Sequence, residues 1–200
     1  MSMMSQLRKK HPITVQTEMG SFTIRTAKES DIPALAHIHV EGWKDSYGGL
    51  VDQAFLDDLT EEKRATDWGK WLKDGVMQTL VAENESGMPC GFISFGKLRT
   101  PIPGGSPIRP LYTAEIYAIY ILNDYQRRGL GQQLMHTAAL TLKEMKHKSL
   151  CLWVLEKNLR AAGFYKKHGG QRCGKKDIEV GGTKVKEVAF GWRDTRILID

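Results

Sequence analysis

A glycine turn set between a buried strand and a long helix constrains this chain most. Ala114 to Leu122 is apolar and rich in β-branched and aromatic residues, which reads as a buried strand. Gln126-Arg-Arg-Gly-Leu-Gly131 follows it. From Gly129 to Lys146, Leu130, Leu134, Ala138, Leu142 and Met145 recur on one helical face. Leu150 to Leu155 is another apolar strand. Two glycines let the backbone turn tightly and approach a ligand closely. Their N–H groups, with those of Arg128 and Leu130, lie at a helix N-terminus, where unpaired donors and the helix dipole attract an anion. Arg127 and Arg128 add positive charge, so the turn reads as a pyrophosphate cradle. A plain strand-to-helix turn with solvated arginines is the competing reading, and Gly-x-Gly alone does not decide between them. It is no Walker loop, since no Gly-Lys-Ser/Thr follows. The dinucleotide fingerprint is incomplete because position 134 is Leu.

The rest of the chain supplies the frame. Residues 22–25 read as a short strand, and Ser30, Asp31 and Pro33 start a helix. A second helical stretch is expected from Phe55 to Lys73. Gln78 to Glu83 and Cys90 to Gly96 form a hairpin about the turn Glu85-Ser-Gly-Met-Pro. Residues 99–110, with four prolines and Gly104-Gly105, must be a loop. Leu159 to His168 is a short helix ended by Gly169-Gly170. Ile178 to Val180 and Lys184 to Trp192 flank Gly181-Gly182 as a last hairpin. Both helices after residue 128 sit between strands, as crossover helices would. The fold class is α/β, with antiparallel and parallel pairing mixed in one sheet. Residues 1–20 are read as a flexible tail and 21–200 as one domain.

Composition narrows the partners. Two hundred residues are one ordinary domain, long enough to bury a core. The net charge of +6 suits an anionic ligand, but the basic residues are spread along the chain rather than run together as a nucleic-acid arm. Cys90, Cys151 and Cys173 make neither a disulfide framework nor a zinc pattern, and a reduced, cytoplasmic protein is expected. No apolar run reaches the roughly 18 residues that a membrane span needs. No secretory signal is expected either. The six histidines show no metal-ligand spacing, His37 and His39 face different sides of a helix, and no metal is expected.

Strand–Gln-Arg-Arg-Gly-Leu-Gly–helix resembles the coenzyme A motif of the GNAT N-acetyltransferase superfamily, Gln/Arg-x-x-Gly-x-Gly/Ala. Ile119 to Tyr125 is similar to the strand that precedes it, without the Pro that many members have at Asn123 or Asp124. Leu152 to Asn158, then Ala161, Phe164-Tyr165, Lys167 and Gly169, is similar to the family's next segment. Lys166 departs from a common Glu, and Gly170 from a common aromatic. The likeness covers about residues 112–170, with only element order agreeing over 22–100. It implies a single acetyltransferase domain with a mostly antiparallel sheet, a splayed central parallel pair and flanking helices.

It also implies a site. Acetyl-CoA would lie on Gln126, Arg127, Arg128, Gly129, Leu130, Gly131 and Gln132. Its pantetheine arm would pair with Ile119, Tyr120 and Ile121 and meet Asn158 and Ala161. A backbone N–H of residues 119–121 would polarise the thioester. Tyr165 would protonate the departing thiolate, remaining a donor at neutral pH with a phenol pKa near ~10. Glu115 would act as base on the amine, often through water in such enzymes. As ordinary residues, Glu115 is a strand-end acid, Tyr165 a core aromatic and Asn158 a helix N-cap. Tyr117 shares a face with Glu115 and lies opposite Tyr120 by alternation. Tyr117, Trp43 and Tyr47 are candidates for the acceptor pocket, with core packing as the alternative.

The expected activity is transfer of acetyl from acetyl-CoA to a primary amine on a small molecule, peptide or protein. A non-catalytic acetyl-CoA sensor is the alternative. A nucleic-acid-binding domain would need aromatics within a basic stripe, which the chain lacks. Arg99 and Arg109 hint at an acceptor with a carboxylate or phosphate. A homodimer through sheet edges, common in the family, is left open.

Overall fold

The computed structural model describes residues 12–17, 20–99 and 111–199. Its strands are β1 (Ile13–Thr17), β2 (Gly20–Thr26), β3 (Gln78–Glu83), β4 (Pro89–Lys97), β5 (Ala114–Ile121), β6 (Leu150–Leu155), β7 (Gln171–Val180) and β8 (Thr183–Trp192). Its α-helices are α1 (Ile32–Tyr47), α2 (Gln53–Asp57), α3 (Glu61–Asp74), α4 (Leu130–Glu144) and α5 (Leu159–Lys167). The strands form one eight-stranded sheet in the order β1-β2-β3-β4-β5-β6-β8-β7. Only β5 and β6 pair in parallel.

Packing follows the periodicities. Leu130, Leu134, Met135, Ala138 and Leu142 of α4 bury one face of the sheet, with Ile24, Ile93, Phe95 and Ile116 beneath them. Each of the leucine, isoleucine, methionine and phenylalanine side chains contributes roughly 1.5–3 kcal/mol by leaving water. Leu35, Ala36 and Ile38 of α1 and Trp68 of α3 cover the opposite face at Val81 and Phe92. β4 lies between both layers, which is why it is apolar almost throughout. A third cluster joins Val51, Leu56 and Leu155 to Trp43, Phe55, Ile178 and Val185, and roofs the sheet where the chain after α1 meets the last hairpin.

Several boundaries differ from the sequence expectation. The tail expected over 1–20 contains β1, whose Ile13 and Val15 pair with Ile24 and Phe22; residues 1–11 lie outside the described residues. The helix expected over 55–73 is two helices. Thr60 turns extended and caps α3, its Oγ1 accepting from Lys63 N at 3.3 Å, so the chain cannot run through. The last hairpin is longer than expected: β7 starts at Gln171 and carries a bulge between Arg172 and Gly174 that blurs its alternation. Finally, β6-α5-β7 is no adjacent crossover, because β8 inserts between β6 and β7. All three cysteines are free. Most of the loop expected over 99–110, with Arg109, lies outside the described residues.

Candidate active site

β5 and β6 are joined only from Ala114–Leu150 to Ile116–Leu152. Beyond that point β5 bonds to β4 and β6 to β8, and their facing edges diverge. The parallel pair therefore opens into a cleft of about 440 Å³. Ile119, Tyr120 and Ile121 line it from β5, and Gln126, Arg127 and Gly129 from the turn. Gly131 and Gln132 of α4 line it too, as do Asn158, Ala161, Phe164 and Tyr165 at α5.

The turn has the geometry that an anion needs. Arg127 and Gly129 both take positive φ, 57° and 79°. A non-glycine residue there is uncommon and strained, so the surrounding fold must hold it. α4 starts with no side-chain cap, which leaves its first N–H groups open toward the cleft. A Cβ on Gly131 would stand 3.2 Å from Phe164 Cζ, so glycine is what lets α4 approach α5 here. The side chains of the turn divide. Arg127 lines the cleft, while Arg128 lies over the Tyr125 ring at 5.6 Å and Leu130 is buried in the core. Neither of those two residues lines the cleft.

A polar network spans the cleft. Gln126 Nε2 donates to Ile121 O at 2.9 Å, and the Arg160 guanidinium donates to Gln126 Oε1 and to the Asp45 carboxylate. Partial burial opposes the Asp45 charge, but the bonds from Arg160 and Gln126 prevail and hold its carboxyl below the usual range. Asp45 and Arg160 were not expected from the sequence. They are remote in the chain, and neither belongs to a motif. Asn158 caps α5, its Oδ1 accepting from Ala161 N at 3.0 Å, and its side chain also reaches the cleft.

A second cavity, about 380 Å³, adjoins the first at Tyr120. Glu115, Tyr117 and Ala118 of β5 line it, with Trp43 and Tyr47 of α1, Trp68 and Trp71 of α3, Trp153 of β6, and Ile178 and Val180 of β7. The expectation that Tyr117 and Tyr120 lie on opposite faces is corrected by a bulge. Phe95 pairs with Ile116 but Ser94 with Ala118, so Tyr117 is an extra residue that resets the alternation. Both tyrosines line this cavity as a result. Tyr117 Oη donates to Lys97 O at 2.6 Å, and the Arg99 guanidinium stacks on its ring at 3.3 Å. Glu115 is 5% exposed, and its Oε2 accepts from Arg99 N at 2.8 Å.

Tyrosines crowd the junction. Tyr47 Oη and Tyr120 Oη are 3.5 Å apart. Burial pushes the phenols of Tyr47, Tyr120 and Tyr165 above their usual range, so all three hold their protons at neutral pH. His39 also lines the second cavity, with its ring stacked on Tyr120 at 5.2 Å. Burial lowers its pKa to about 3 and keeps it neutral. Its place on the buried face of α1 was the only signal of it in the sequence.

Residues 36–170 match the acetyltransferase (GNAT) family. The chain belongs to this family. An uncharacterized N-acetyltransferase of Bacillus subtilis is 33% identical over 176 residues, 88% of this chain and 95% of its own. Among solved structures, a ribosomal-protein-alanine N-acetyltransferase from Brucella melitensis has a TM-score of 0.63 at 23% identity, covering 84% of this chain and 98% of its own. An N-acetyltransferase from Thermoplasma acidophilum, in complex with coenzyme A, has a TM-score of 0.59 at 19% identity, covering 84% of this chain and 97% of its own. At those identities the two structures speak for the fold. The GNAT match runs from within α1 to just past α5 and takes in the whole cleft, while Lys176, Ile178, Val180 and Glu187 of the second cavity lie beyond it. No helix among the described residues is long and apolar enough to cross a membrane, and they hold no metal-binding cluster.

Proposed function

We propose that this acetyltransferase moves an acetyl group from acetyl-CoA to a primary amine, with acetyl-CoA in the cleft and the amine in the adjoining cavity. The observation that carries the reading is the meeting of the two cavities at Tyr120, with Glu115 on one and Tyr165 on the other. A sensor of acetyl-CoA would need the cleft alone.

The cleft fits the donor. Open N–H groups at the start of α4, with Arg127, suit a pyrophosphate. The free edge of β5 over residues 119–121 suits an arm that pairs as a strand would, with Asn158 opposite it. The coenzyme A complex of the Thermoplasma acidophilum relative supports the same reading. Acetyl-CoA supplies an acyl carbon on a thioester, to which the amine nitrogen bonds as the C–S bond breaks.

The protein's part is to hold and move protons. An amine arrives as an ammonium ion, and Glu115 takes one proton from it, directly or through water. A backbone N–H of the β5 edge polarises the carbonyl. Tyr165 gives its phenolic proton to the departing sulfur and recovers one from solvent. The nitrogen loses its second proton to water as the amide forms, and Glu115 releases the first to solvent. Holding both reactants across one junction supplies the remaining advantage.

The test is calorimetric titration with acetyl-CoA beside CoA, ATP and NAD, followed by thiol release with amine acceptors. Micromolar binding of acetyl-CoA and amine-dependent release of CoA are expected. Binding without release for any amine would favour the sensor, and no binding would remove the reading.

A further inference from the structure

A cation stands beside Glu115 on a platform that the fold builds for it. Gly96 pairs with Glu115 across β4 and β5, and a Cβ on Gly96 would stand 2.6 Å from Tyr117 Oη. Glycine there lets the Tyr117 ring lie over the end of β4, where its hydroxyl is tied to Lys97 O. The Arg99 guanidinium rests on that ring, 3.3 Å from its centroid. Attraction to the ring face holds the cation without a carboxylate. Meanwhile the Arg99 backbone N–H donates to Glu115 Oε2 at 2.8 Å. Arg99 therefore carries a positive charge and also pins the carboxylate proposed as base, so the two charges lie within one side chain's reach of each other. Both residues line the second cavity.

The other cation on this cavity is already neutralised. Lys176 is bonded to Glu187 at 3.1 Å and lies over the Trp153 ring at 4.3 Å. Among the described residues no carboxylate is bonded to the Arg99 guanidinium, whose neighbour is the Tyr117 ring. Its N–H donors form a fork that matches a carboxylate, and Arg99 is exposed, so an anion can reach it at the cavity mouth. Much of the remaining wall is apolar, with Trp43, Trp71, Trp153, Ile178 and Val180. At about 380 Å³ the cavity lies near the lower end of small-molecule pockets, roughly 300–1,000 Å³.

These features select among amines. A free amino acid carries an ammonium, a carboxylate a few bonds away and one side chain. A peptide N-terminus has a neutral amide in place of that carboxylate. A polyamine brings further ammonium groups toward Arg99, and a phosphate monoester sets about two negative charges against one guanidinium. We infer that the acceptor is a free amino acid with an apolar side chain, its carboxylate held by Arg99, its amine turned to Glu115 and its side chain on the tryptophan wall. This rests on the acetyl-transfer reading of the same site.

The test measures kcat/KM at saturating acetyl-CoA for phenylalanine and leucine, each beside its carboxamide, and for spermidine, O-phosphoethanolamine and a short peptide with a free N-terminus. Phenylalanine or leucine should lead, by about tenfold or more over its own carboxamide, as a hydrogen bond to a charged group gives. Arg99→Gln should shrink that ratio toward unity, chiefly by raising the KM of the amino acid, and Arg99→Lys should keep part of it. Either substitution leaves the backbone N–H that holds Glu115, so turnover of the carboxamide reports on the rest of the site. Because the readout is a ratio between two amines, a loss of folded protein does not imitate it.

A lead for spermidine, O-phosphoethanolamine, the peptide or a carboxamide overturns the inference, and so does an amino-acid preference that Arg99→Gln does not change. Acetyl-CoA titration runs in parallel. Acetyl-CoA binding without turnover of phenylalanine or leucine overturns the acceptor class, and leaves acetyl transfer standing where other amines react. Absent binding removes both readings.

Discussion

At Tyr165 the proposed proton donor is one buried phenol. It is 7% exposed, and burial and the nearby Tyr47 keep it protonated. Removing its hydroxyl while keeping the ring separates chemistry from packing. Tyr165→Phe should lower kcat by about 10²–10⁴-fold, the usual contribution of a general acid, with the acetyl-CoA Kd little changed by calorimetry. A kcat close to wild type would assign the acid elsewhere. His39 carries a stability prediction. Unfolded, it protonates near 6.5; folded, burial and the Arg64 charge lower that to about 3. Its contribution is whole above 6.5 and is lost as the pH falls toward 3, because the unfolded chain binds the extra proton. Over that window, unfolding free energy should drop by up to about 1.4 kcal/mol per pH unit. Denaturant titrations of wild type and His39→Phe check this: the variant should show a flatter slope, and equal slopes would mean that His39 titrates freely.

Two elements decide the shape of the second cavity, proposed above for the amine. The first is the β5 bulge, where one extra residue brings Tyr117 onto the side that already holds Tyr120. The second is the tip of the β7–β8 hairpin. Gly181 has φ 54°, and a Cβ there would stand 2.2 Å from Phe55 Cγ. Thr183 Oγ1 accepts from Asp52 N at 3.0 Å beside it. The hairpin tip is thus seated on α2 through a position that tolerates no side chain. Gly181→Ala should lift it and raise the amine KM. The acetyl-CoA Kd should stay unchanged, since no hairpin residue lines the cleft. Steady-state kinetics with calorimetry would detect this split, and a parallel loss of both affinities would show a general loss of structure instead. The hairpin itself was legible as Gly181-Gly182 between apolar stretches. Its seat on Phe55 was not, because that contact joins residues far apart in sequence.

On the scale of the whole molecule, Arg25 clamps the sheet to the start of α1. Its guanidinium bonds to Asp31 at 2.7 Å and to Glu83 at 2.5 Å, and Asp31 Oδ2 also accepts from Lys28 N at 2.7 Å. Burial works against the Asp31 charge, but the Arg25 and Lys28 bonds outweigh it and depress its pKa below 3.8. Asp31→Asn leaves Arg25 short of a buried counter-charge and should cost about 3 kcal/mol in urea unfolding at neutral pH. The contribution is present above 3.8 and lost as the pH falls through the lower folded value, so wild type and variant should converge in strong acid. An equal stability at neutral pH would show that water replaces the pair. The chain's own periodicities determined most of the strands, the long helix α4 and the glycine turn before it. Each is a local pattern, and the turn from Gln126 to Gly131 is marked by its own glycines, although the surrounding fold holds Arg127 at positive φ. Tertiary structure alone decided that β8 enters between β6 and β7 and that β1 adds an edge. It also decided that Asp45 meets Arg160, and that His39, Trp43 and Trp68 gather around one cavity. The physical reason is range. A turn or a helix cap is fixed by contacts a few residues apart, whereas a cavity wall is assembled by packing segments whose separation the sequence does not encode as a repeat.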